Sequence, residues 1–185
     1  IDNLQMSIDA DTIIQAALFH DMGNIIKSDL SLFPEFLEPE GLAYWENVKK
    51  EYIIKYGTDE HVATINVTKE IGLDVGAIKL IETMSFGKML QIRDGEDFGI
   101  KILEYADMRV VPRGIAGIAE RLREGRIRYS GREGGFNYER YTELSSALQD
   151  IENDILSRSK IKPEDITNES VQNNIQSFQN YSLDC

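Results

Sequence analysis

Cysteine is nearly absent. Cys185, the last of 185 residues, is the only one, so no internal disulfide can form and no thiolate cluster can hold zinc. Histidine is almost as scarce, with only His20 and His61. Any metal must therefore be held by imidazole and carboxylate groups. No apolar run approaches the roughly 18 residues that span a bilayer, and Ile1 to Asp11 contain no basic segment followed by an apolar one. The chain is thus expected to be soluble and cytoplasmic, without a membrane partner. Because it begins with Ile1 rather than Met, its start is expected to be processed or cut from something longer.

Positive charge is in deficit, 20 Lys and Arg against 32 Asp and Glu, for a net charge of -12. Long-range repulsion of that sign argues against general nucleic-acid binding and against anionic membranes. It leaves room for a small phosphorylated substrate in a locally basic pocket. With 42% hydrophobic residues, the chain can bury one good core, so one domain with a helical appendage is expected.

Strand patterning is also missing: no run of β-branched residues alternates with polar ones, whereas helical periodicity recurs. The expected fold class is all-α. Asp9 or Asp11 caps a helix expected over 9–27, with Ile13, Ile14, Ala17, Leu18, Asp21 and Ile25 near one face. After the break at Pro34 and Pro39, Leu42, Trp45, Val48, Tyr52 and Tyr56 mark a second helix up to Gly57. Thr58 or Asp59 starts a third, stopped at Gly72, with His61 in its first turn. A short helix follows around 75–84, then a polar loop near "RDGEDFG", then a helix in which Ile100, Leu103, Asp107 and Val110 share a face.

Pro112 or Gly114 opens the next helix and Gly125 ends it, followed by an arginine-rich and glycine-rich loop, "RIRYSGREGGFN". Tyr141, Leu144, Leu148, Ile151 and Ile155 define a long amphipathic helix over 138–158, whose seam suits either packing on the core or dimerisation. Pro163 starts a last helix with Val171, Ile175 and Phe178 on one face.

Asp21 and Asp107 are acids in apolar stripes. A lone buried carboxylate costs several kcal/mol or neutralises by a pKa shift, so the two need a shared partner. A divalent cation supplies one, and His20 beside Asp21 adds nitrogen, a mixed shell suited to Mn, Fe, Co, Ni, Zn or Mg. Adjacent His and Asp also arise by chance, His20 then capping a carbonyl and Asp21 a loop.

"AALFHDMGNIIK" resembles the His-Asp motif of the HD-domain superfamily of metal-dependent phosphohydrolases, and "ILEYADMRV" resembles that family's final Asp motif. The resemblance covers roughly 1–125. It implies an HD-type helical bundle over 1–125, with the loop and extra C-terminal helices of 126–185 packing on that core or on a partner. It also implies metal ligation by His20, Asp21 and Asp107, and hydrolysis of a nucleotide or another small phosphoester. Asp21 and Asn24 are the implied catalytic residues. Asn24 stands where family members often carry Lys or Glu, and can orient a water or a phosphate oxygen. The family's first His precedes the doublet by some tens of residues. None of the 19 residues before His20 is His, so that ligand either lies before Ile1 or does not exist.

His61, some forty residues after the doublet, matches the region where some members carry an additional His for a second metal or for substrate. The arginines between Arg109 and Arg132 outnumber the acids there, and Arg109 and Arg113, within two turns of Asp107, can grip phosphate bidentately. Lys27, two turns past the doublet, can serve the same purpose. The competing expectations are a non-catalytic HD-type ligand-binding or dimerising module, and two-iron redox chemistry, which needs more His than this chain has.

Overall fold

The computed structural model describes residues 1–129, 137–178 and 181–182. Arg132 and most of the glycine-rich loop, 130–136, and Cys185 lie outside the described residues. The architecture is mostly helical, with a single two-stranded hairpin among the described residues. The all-α expectation therefore holds. No described helix is long and apolar enough to cross a membrane. The chain gathers into two compact units, Ile14–Glu82 and Ile1–Ile13 with Thr83–Cys185.

The first unit contains α1 (Ala10–Phe19, which begins before the unit's limit), α2 (Leu42–Tyr56), α3 (Glu60–Glu70) and most of α4 (Val75–Thr83). Asp59 caps α3, its carboxylate accepting from the Val62 N–H at 2.8 Å. The chain leaves the helix at Gly72, whose φ is +78°. Ala63, Thr64, Val67 and Thr68 form the buried stripe of α3, the i, i+1, i+4 pattern of one helical face. That helix packs on α2 and on the 3-10 turn Asn24–Ile26.

Helix α1 is much shorter than the 9–27 its periodicity predicts. It ends at Phe19, and beyond His20 the N–H groups bond three residues back, Met22 to Phe19 and Asn24 to Asp21. The reason lies in α3. The Gly23 N–H donates to Thr64 Oγ1 at 2.9 Å, and a Cβ at Gly23 would collide with the Glu60 carbonyl oxygen and lie 2.8 Å from Thr64 Oγ1. This close approach diverts the backbone from its helical path. Asp21 consequently leaves the apolar stripe.

The second unit is organised on α8 (Tyr138–Ser157), against which α5 (Met89–Asp94) and α6 (Phe98–Asp107) pack. Of its expected seam, Leu144, Leu148, Ile151 and Ile155 are buried and Tyr141 is half-buried, so the seam belongs to the core. Helix α5 lies in a stretch for which the sequence pattern assigns no element, and only its last two residues, Arg93 and Asp94, enter the expected "RDGEDFG" loop. Helix α6 starts at the Asp97 cap and ends at Asp107 rather than running on to Val110. Val110–Val111 instead pairs with Gly114–Ile115 as strands β1 and β2, since a residue before Pro112 disfavours helix. Gly114, at φ +136°, admits no Cβ against the Asn168 amide, whose Oδ1 accepts from the Ile115 N–H at 2.8 Å.

Two other boundaries move. Helix α7 (Ile118–Tyr129) passes through Gly125, a cost of about 1 kcal/mol relative to Ala that packing can offset. Pro163 starts only one 3-10 turn. The last helix, α9 (Asn168–Phe178), begins where Thr167 and Ser170 exchange hydrogen bonds.

Candidate metal centre

His20 follows the last residue of α1, and its N–H still closes a helical bond to the Ala16 carbonyl at 2.9 Å. The ring is oriented by its own helix, with Nδ1 2.8 Å from the Ala17 carbonyl oxygen. A carbonyl only accepts, so Nδ1 carries the proton. In the neutral ring the lone pair then sits on Nε2, the state a metal ligand requires. Nε2 is buried and lies 3.5 Å from Asp21 Oδ2. The carbonyl cap raised as the bland alternative for His20 is therefore present, and it leaves the other ring nitrogen suited to ligation.

Asp21 is exposed, its side chain 60% accessible. Leaving α1 removes the burial foreseen for this acid, and water solvates the carboxylate instead. Asn24 is half-buried and opens the 3-10 turn; its backbone carbonyl accepts from Ser28 Oγ at 2.7 Å. Lys27 pairs with Glu60 at 3.1 Å, both side chains about two-fifths exposed. Burial opposes the charged form of Glu60, yet its hydrogen bonds to the backbone and Lys27 outweigh that, and its pKa is lowered. His61 is exposed in the first turn of α3.

Sequence reading missed Thr64, Glu60 and the reason for Gly23. Thr64 Oγ1 receives the Gly23 N–H and donates onward to the Glu60 carbonyl at 2.9 Å. One hydroxyl thus fixes the turn that begins with the doublet. The only legible signal was a glycine two residues past Asp21.

In the other unit Asp107 closes α6 and is half-buried. Arg113 is exposed at the tip of the hairpin. Arg109 corrects an expectation: it is 5% exposed, and its guanidinium is committed internally. Nε donates to the Ala116 carbonyl at 2.6 Å, Nη1 to the Tyr105 hydroxyl at 2.6 Å, and Nη2 to the Pro163 and Ile166 carbonyls at 3.1 Å. Tyr105 passes the bond on to Glu152 at 3.0 Å. Burial pushes the Tyr105 hydroxyl up to about 12, against the opposing pull of the Arg109 charge. With its donors occupied, Arg109 ties the hairpin to the segment before α9 and is not available to a phosphate.

His20 and Asp21 thus form a ready nitrogen and oxygen donor pair in one unit, and Asp107 offers a carboxylate in the other. Compared with family models, with curated proteins and with solved structures, the chain matches none.

Proposed function

We propose that the chain is a metal-dependent phosphohydrolase of HD type, acting on a nucleotide or another small phosphoester, with His20, Asp21 and Asp107 as ligands of a divalent cation. The observation that carries this reading is the state of His20: its Nδ1 proton is held by the Ala17 carbonyl, and the Asp21 carboxylate stands beside Nε2. Mn, Fe, Co, Ni, Zn and Mg all suit such a nitrogen and oxygen donor set. When bound, the cation supplies an acidified water and a Lewis acid for the phosphoryl oxygen.

The chain's own residues set the geometry. Ala17 keeps the imidazole in one tautomer, Thr64 pins the Gly23 turn, and the Asn24 amide can orient a water or a phosphate oxygen. Arg113 is exposed and can meet a substrate phosphate; Lys27 can do so by exchanging its Glu60 partner.

Metal analysis of protein dialysed against each cation, paired with a phosphoester and nucleotide screen, tests the reading. The expected result is about one metal per chain, lost together with turnover in His20→Ala and Asp107→Asn. Full metal content and turnover in Asp107→Asn would overturn it. A second reading, a non-catalytic HD-type module, is favoured by Asn24 in place of the Lys or Glu that family members often carry. It is the outcome if metal binds, the screen stays silent, and turnover does not appear in Asn24→Glu.

A further inference from the structure

Two exposed surfaces of opposite charge lie outside the candidate centre. Between Ser28 and Val48 the chain carries Asp29, Glu35, Glu38, Glu40 and Glu46 and neither Lys nor Arg. The stretch is anchored from below, with Leu37 buried and its carbonyl accepting from Trp45 Nε1 at 3.1 Å. On this held scaffold large apolar groups stay in water: Leu32 is 65% exposed, Phe36 60% and Tyr44 51%. The Phe36 ring stacks on Phe33 at 5.7 Å, which fixes its direction. Glu38, Glu40 and Glu46 make no ion pair among the described residues.

The second surface is a cleft of about 440 Å³ lined by Leu122, Arg123, Arg126 and Ile127 of α7 and Tyr141 of α8. Its floor is tied together by the Tyr141 hydroxyl, which donates to the Leu122 carbonyl at 2.5 Å, and by the Phe86 ring, whose centroid lies 5.6 Å from that of Tyr141. Ile127 is 71% exposed. Arg123 and Arg126 are exposed and pair with no carboxylate among the described residues, Arg126 instead lying 4.7 Å over the Tyr138 ring.

Charge decides what meets this cleft. Copies of a chain with net charge -12 repel one another unless local opposite charges face, and α7 lies in the stretch where arginines outnumber acids. An exposed aromatic ring followed by two glutamates with no ion pair among the described residues is the chemical complement of an apolar floor beside two guanidiniums that meet no carboxylate among them. We propose that copies of this chain associate through this pair of surfaces, with Phe36 of one copy seated on Leu122, Ile127 and Tyr141 of another, and Glu38 and Glu40 against Arg123 and Arg126.

Light scattering and sedimentation on the full chain over a micromolar concentration series test the contact. The mass of the unaltered chain should rise above the monomer. Glu38→Lys with Glu40→Lys, or Arg123→Glu with Arg126→Glu, should each weaken association at least about tenfold, and an equimolar mixture of the two should restore it. Phe36→Ser weakens it as well, and keeps the test open should the α7 variant misfold. A chain that stays monomeric throughout, an association indifferent to either charge reversal, or a mixture that fails to recover overturns the proposal. Metal content is unchanged in every variant, which separates this result from that for the candidate centre.

Discussion

At Gly23 a missing side chain decides where a helix ends. The position lies so close to the Glu60 carbonyl that any Cβ forces α3 or the turn to shift. Gly23→Ala should therefore destabilise by about 1–3 kcal/mol, the usual cost of overpacking, read as a lower urea midpoint at unchanged slope. Thr64→Val keeps the shape but strands the Gly23 N–H, for about 1–3 kcal/mol; Thr64→Ser should recover most of it, and a Val variant as stable as the original would remove Thr64 from this role. Arg109 makes the opposite case. Its charge and position invite a phosphate, yet it is buried among three carbonyls and a hydroxyl. Arg109→Ala should cost about 3–5 kcal/mol, as expected when one partner of a buried charged network is removed, and should melt out in urea well before any direct effect on phosphate binding could be measured. His20, Asp21 and Asp107 could be singled out as candidate ligands because their residue types and apolar sequence context mark them; Thr64 could not, because a threonine on a helix face carries no such signal.

Helix ends follow local chemistry where caps are present. Asp59, Asp97 and Asn137 each accept hydrogen bonds from the first turn of α3, α6 and α8, and Asp59→Ala should cost about 1 kcal/mol, visible as a reduced thermal midpoint. The third helix was legible from this cap and from Gly72, and the long helix from its seam. The start of the first was legible too, since Asp9 accepts from the Thr12 N–H as its cap, but the end of the first and the start of the last were not. For α1 the stop is a contact with α3, forty-one residues away; for α9 the start is a reciprocal Thr167 and Ser170 pair rather than Pro163. The end of α8 also carries a pH signature. Burial opposes the charge of Asp154, but hydrogen bonds from Lys101 at 3.1 Å and Arg158 at 3.0 Å prevail and lower its pKa below 3.8. A group depressed in the folded state contributes stability above its unfolded pKa and loses it as pH falls through the folded one. Stability should thus decline below about pH 4, and the decline should be shallower in Asp154→Asn, followed by urea midpoints across that range.

Over the whole molecule, α8 organises one unit: Leu144, Ala147 and Leu148 are fully buried, with α5 and α6 against them. Leu148→Ala should cost about 2–5 kcal/mol, checked by urea denaturation, whereas a substitution at exposed Ile175 of α9 should change little. What the sequence determined by itself was the helical class and most helix positions, together with the candidates proposed as metal ligands. Periodicity, caps and rare residue types act within a few positions along the chain, so they are written locally. Tertiary structure alone decided that α1 stops before Asp21, that Asp21 is exposed, and that Arg109 is structural. Each depends on a contact between segments distant in sequence, a Gly23 backbone against Thr64 or an Arg109 guanidinium against the carbonyls of Pro163 and Ile166, and no local pattern encodes the distance between such groups.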